Sequence, residues 1–168
     1  MTPTIPSLAP LLRAGVLDPD LAALVWSLAE GGLPVHVASS DPAAAARLAA
    51  GLRDLVRPVT VLVGASLETV LDVWADEPAR LGVVLVVGQT RVVAAHWVRP
   101  PIRDGKGHVR AQGPAVLAVW DERTGRFEHF AWGVIPELAV AVGRKAGDLE
   151  LEVDSRRRSI IEVAILAS

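Results

Sequence analysis

Cysteine, tyrosine and asparagine are absent from this chain of 168 residues. Without cysteine there can be no disulfide, no thiol nucleophile and no thiolate metal site. A strong excess of one charge is also missing. The formal net charge of −2 argues against general nucleic-acid binding. No apolar run reaches the roughly 18 residues of a membrane span; the most apolar stretch, 81–98, is broken by Gly88, Gln89, Thr90 and Arg91. The segment 1–7 has neither the basic region nor the apolar core of a signal peptide, which predicts a cytoplasmic protein. No Ser-centred elbow is present, because Gly64-Ala65-Ser66 lacks the second glycine. His36, His96, His108 and His129 lack metal-ligand spacing. The expectation is no cofactor and no metal, and a chain that leans away from being an enzyme. A two-histidine site assembled only by folding is the open alternative.

What the chain does have is apolar residues, 51% of the total, enough to bury a sizeable core in one domain over 1–168. Asp18-Pro19 reads as a helix cap followed by proline at the first helical position, with Leu21, Leu24, Val25 and Leu28 at helical spacing and Gly31-Gly32 as the stop. Residues 35–38 form a short buried strand, and Asp41-Pro42 starts a second helix. Residues 59–63 carry no charge and read as a strand covered on both faces. Ser66 caps a third helix to Trp74. This order over 1–80 predicts a parallel sheet.

From 81 the pattern becomes hairpins: 83–87 with 92–98, 116–120 with 127–132, and 149–153 with 159–166 around the basic turn Ser155-Arg156-Arg157-Arg158. A short helix covers 136–142. The fold class is α/β: a P-loop-like, partly parallel sheet flanked by helices and extended by antiparallel β-hairpins. Trp26, Trp74, Trp97, Trp120 and Trp132 sit near element ends, as core corners or at an interface.

The strand and helix over 33–48 lie where a phosphate-binding loop, G-x-x-x-x-G-K-[ST], would lie. Such a loop needs glycines to turn N–H groups toward phosphate, a lysine to reach the terminal phosphates and a hydroxyl on Mg²⁺. Here the first glycine is Ser39 and the G-K-[ST] triplet is Ala44, Ala45 and Ala46. Ser39, Ser40, Asp41 and Ala45 form a vestigial phosphate loop. Asp41 would repel phosphate and reads as a cap.

Three stretches resemble the secretion and pilus-assembly ATPases of the type II and type IV systems, in shortened and degenerate form. They are 11–26 with the strand and helix that follow, Arg99-Pro-Pro-Ile-Arg-Asp-Gly-Lys-Gly-His-Val109, and 148–163. The last is similar to that family's closing hairpin. The resemblance implies a P-loop NTPase-like fold. The missing glycines and lysine argue against ATP hydrolysis.

Two further motifs compete for a site. Val116 to Glu122 matches an apolar strand ending in two acids. Asp121 and Glu122 are either the Mg²⁺-binding remnant of a nucleotide site or a hairpin turn, since Thr124-Gly125 follows. The polar loop Arg99–Gly113 carries Arg99, Arg103, Asp104, Lys106 and His108, a set suited to clamping a small anionic ligand. The leading expectation is a pseudo-ATPase: a non-catalytic P-loop-derived module acting by contact with a protein partner or with itself, accessory to a secretion or pilus ATPase. The alternatives are an anion- or small-molecule-binding protein or enzyme using 99–113, and nucleotide binding without hydrolysis.

Overall fold

The computed structural model describes residues 8–56, 59–63, 66–74, 76 and 78–166. The segment 1–7 and Gly64-Ala65 therefore lie outside the described residues. The elements in chain order are α1 (Ala9–Arg13), α2 (Pro19–Glu30), β1 (Val35–Ser39), α3 (Pro42–Leu52), β2 (Val59–Val63), α4 (Leu67–Val73), a 3-10 turn (Pro78–Leu81), β3 (Val83–Val87), β4 (Val92–Trp97), β5 (Ile102–Arg103), β6 (Val109–Arg110), β7 (Ala115–Asp121), β8 (Arg126–His129), a second 3-10 turn (Ala131–Val134), α5 (Ile135–Ala141) and α6 (Ala146–Leu166).

Six strands form one mixed sheet in the order β2-β1-β3-β4-β7-β8, and β5 and β6 form a separate ribbon. β1 runs parallel to both β2 and β3, while β3, β4, β7 and β8 follow one another antiparallel. The fold is thus α/β with a parallel portion at one side and hairpins at the other. The period of two along β1 sorts its side chains between two cores. Val35 and Val37 join Leu21, Leu28, Leu48, Leu85, Leu117 and Leu149, the core beneath α2, α3, α5 and α6. Ala38 faces the other way, with Val84 and Val86, against Val70 of α4. Among the described residues no helix is long and apolar enough to cross a membrane.

The N-terminal half forms for the reasons its sequence suggests. Asp18 caps α2 by accepting from Leu21 N at 2.8 Å, Asp41 caps α3, and Ser66 caps α4 through Thr69 N. Three expectations need correction. The predicted hairpin over 149–166, including the resemblance to a closing hairpin, is instead the single helix α6. Leu149, Val153 and Ile160 are buried while Leu151 is exposed, which is a period of 3.6 and not of two. Arg156 to Arg158 are not an exposed turn. Arg156 pairs with Glu152 and Glu30, Arg157 with Asp154 and Asp20, and Arg158 with Asp154. Second, β2 is an edge strand with Thr60 and Val61 exposed, so it is uncharged without being covered on both faces. Third, β8 stops at His129, and Trp132 lies in the following 3-10 turn, half exposed.

Candidate functional site

The carboxyl ends of β1 and β3 lie side by side where the chain direction reverses: α3 leads away from β1 toward β2, whereas β3 turns toward β4. Open α/β sheets place ligands at such points. Here the polar groups are satisfied internally. Ser39, almost fully buried, donates its hydroxyl proton to Val87 O at 2.8 Å and accepts from Asp41 N at 3.0 Å. Asp41 Oδ1 accepts from Ala43 N at 2.9 Å and Ala44 N at 3.3 Å. The amides that a phosphate would require are therefore engaged by a carboxylate of the same charge. Ala45, in the lysine position, is packed in the core, and Ser40 is exposed. At the end of the neighbouring strand stand Gly88 and Gln89, with no acid for a metal ion. Asp41→Ala is expected to cost about 1 kcal/mol by loss of the cap, measurable by urea unfolding.

Asp121 resolves as a turn residue. It pairs with Arg126 across β7 and β8, and its carboxylate accepts from Arg123 N at 2.9 Å and Thr124 Oγ1 at 2.8 Å. The Thr124 hydroxyl, and then the Arg123 amide, hold its carboxyl below the usual value. Glu122 is exposed. β3 and β4 separate β7 from β1, so these acids do not stand beside the loop after β1.

The loop Arg99–Gly113 is a ribbon, clamped at its base. Arg99 Nε donates to Gly113 O at 2.9 Å, Arg99 Nη1 pairs with Glu137 at 3.2 Å, and Gln112 Nε2 donates to Pro100 O at 2.9 Å. At its tip Asp104 accepts from Lys106 N at 2.8 Å and His108 N at 2.9 Å and meets His108 Nδ1 at 3.0 Å. The His108 amide, first among these contacts, lowers the Asp104 carboxyl. Arg103, Asp104, Lys106 and His108 are all exposed, and Asp104 serves the tip itself. The structure does not gather the five candidate residues around one cavity. Arg99 alone of the five lines a cleft of about 230 Å³, with Leu71, Val98, Pro101 and Gln112.

A different constellation is assembled by the fold. His129 ends β8, and its Nε2 lies 2.6 Å from Asp18 Oδ2, while Asp18 Oδ1 caps α2. Asp20, one residue into α2, adds a third group, and donor atoms of all three lie within 4.8 Å of one another. Asp20 also faces Arg157 Nε at 3.7 Å. The Asp18 hydrogen bond, opposed by burial, raises His129 above its ordinary value. Beside them is a cleft lined by Asp20, Leu24, His129, Ala131, Trp132, Ile135 and Val153. The lack of metal-ligand spacing among the four histidines gives no sign of this cluster. Asp18 and His129 are 111 positions apart, and the one sequence signal was a second acid, Asp20, in a first turn that already had its cap.

His36 and His96 share one row of the sheet, on either side of Val84. Burial lowers both. His36 Nε2 meets Arg80 O at 3.4 Å and its ring lies 6.0 Å from Trp74. Of the other tryptophans, Trp97 is buried, and Arg156 and Arg91 lie over Trp26 and Trp120 at 4.5 and 4.0 Å.

The fold class is therefore an α/β mixed sheet, and at its strand-end crevice, beside a cleft of about 410 Å³ lined by Ala44, Arg47, Val87 and Gln89, Asp41 caps α3. No protein-family model matches the chain, and no curated protein matches it.

Proposed function

We propose that this chain is a non-catalytic module on a P-loop-derived scaffold that works by protein contact, as an accessory to a secretion or pilus ATPase or as a self-associating unit. The observation that carries the reading is the Asp41 carboxylate on the amides of Ala43 and Ala44. On this reading the strand-turn-helix over 35–52 descends from a nucleotide site, and the capping carboxylate takes the place where an anion would bind. A contact role draws support from apolar groups left in solvent on the second 3-10 turn and α5. Phe130 and Trp132 are half exposed and Val140 is 80% exposed. Pro136 and Val140, both exposed and four residues apart on α5, share one helical face.

Calorimetry with ATP or GTP and Mg²⁺ is expected to give no heat at millimolar nucleotide. Sedimentation velocity, alone and with the cognate secretion ATPase, is expected to show an assembly that Trp132→Ser combined with Val140→Asp disperses. Micromolar nucleotide binding, or a chain that stays monomeric and ignores the motor, would sink the proposal.

A further inference from the structure

The cluster at the start of α2 has the make-up of a metal site. Its donors are one imidazole nitrogen and two carboxylate oxygens, brought together from opposite ends of the chain. We propose that Asp18, Asp20 and His129 bind one divalent transition ion, zinc foremost, with water as the fourth ligand, clamping the start of α2 to the end of β8.

Geometry, donor chemistry and space all bear on this. Tetrahedral zinc with bonds of about 2.0–2.1 Å holds its ligand atoms about 3.3 Å apart. The three donors, within 4.8 Å of one another, come to that spacing by small side-chain rotations. The His129–Asp18 pair, now at 2.6 Å, opens slightly to admit the ion. The mixed nitrogen and oxygen set suits zinc, nickel or cobalt, whereas magnesium and calcium favour six or more oxygens. Asp18 is oriented from behind, because Leu21 N–H holds Oδ1 and leaves Oδ2 toward His129; ligands fixed in this way raise affinity.

Space is the independent observation. Asp20 and His129 line a cavity of about 10 Å³, close to the room one water needs. Its other walls are Leu24, Ala131, Trp132, Ile135 and Val153. It therefore leaves room for the water ligand beside two of the three donors, Asp20 and His129.

Two features oppose the ion and weaken its binding. The N-terminal end of α2 carries a partial positive charge, and Arg157 stands 3.7 Å from Asp20. Binding needs His129 neutral, so it weakens as pH falls.

The test is zinc titration by calorimetry of the full chain, stripped with chelator and dialysed. One saturable site is expected, with no response to magnesium. Asp20→Asn leaves the Asp18 cap and the His129 bond in place. It should weaken zinc roughly tenfold or more, while the Tm in chelator falls by no more than about 4 °C, the loss of a half-exposed ion pair with Arg157 and of an acid in the first helical turn. His129→Gln should abolish the site, and Arg157→Gln should tighten it. No saturable zinc heat overturns the proposal. So does binding that survives both Asp20→Asn and His129→Gln, including binding lost on His108→Ala, which would place the ion at the ribbon tip.

Discussion

Gly82→Ala is expected to destabilise the protein by about 2–5 kcal/mol, combining left-handed backbone strain with overpacking. Gly82 has φ +54°, a region that L side chains rarely adopt. A Cβ built there would lie 2.5 Å from Pro34 O and 2.8 Å from Pro34 Cδ. Neither atom can easily retreat. Pro34 O accepts from Val83 N at 2.8 Å, and Gly82 O accepts from Val98 N at 2.8 Å. The substitution therefore pushes apart the chain entering β1 and the chain entering β3, the two parallel strands whose far ends Ser39 joins. Since whole-domain stability is typically about 5–15 kcal/mol, the loss is a large share of the total. Gly105→Ala is the matched control. A Cβ at Gly105 meets nothing within 4 Å, and a change of no more than about 0.5 kcal/mol is expected. Urea unfolding of the two variants decides the point: equal midpoints would mean that the close approach at Pro34 does not constrain the fold.

Legibility in the sequence followed the range of the interactions involved. The capped helices α2, α3 and α4 and the hairpins β3–β4 and β7–β8 are set by neighbours a few positions apart, and their signals were local. α6 was misread because Leu149-Glu150-Leu151-Glu152-Val153 alternates apolar and charged residues like a half-buried strand. The better signal was electrostatic. Glu152 stands four residues before Arg156 and Asp154 four before Arg158, the acid-then-base order that supports a helix. Likeness to a family hairpin in the same stretch reinforced the wrong period. The charged loop 99–113 was read as a binding surface because its residues suit anions. Charge density in a ribbon held off the core is equally what solvent selects, and nothing local says whether such side chains converge. The cluster of Asp18, Asp20 and His129 is the opposite case. Each residue had an adequate local explanation, and only the passage of α2 beside the end of β8 gives them a joint one.

Asp18→Ala, studied in chelator, is expected to cost about 2–4 kcal/mol near pH 6, the sum of a lost N-cap and a lost hydrogen bond to a charged group. The penalty should shrink toward about 1 kcal/mol, the cap alone, at alkaline pH. The direction follows from linkage. His129 is raised in the folded protein, with the Asp18 hydrogen bond as the chief cause. A base that binds its proton more tightly when folded stabilises fully below its unfolded pKa of about 6.5. That stabilisation is lost as pH climbs through the raised folded value. His36 and His96 act with the opposite sign. Burial lowers both, so they weaken the fold as pH falls below the unfolded value. They are present in wild type and variant alike, and their effect cancels in the difference between the two. Asp18→Asn separates the two parts, because asparagine still caps a helix but cannot offer His129 a negative charge. Its penalty should vanish at alkaline pH, while that of Asp18→Ala levels off at the cap. Urea unfolding across this range would refute the assignment if the Asp18→Ala penalty held constant or grew with pH. In that case His129 would not owe its proton to Asp18.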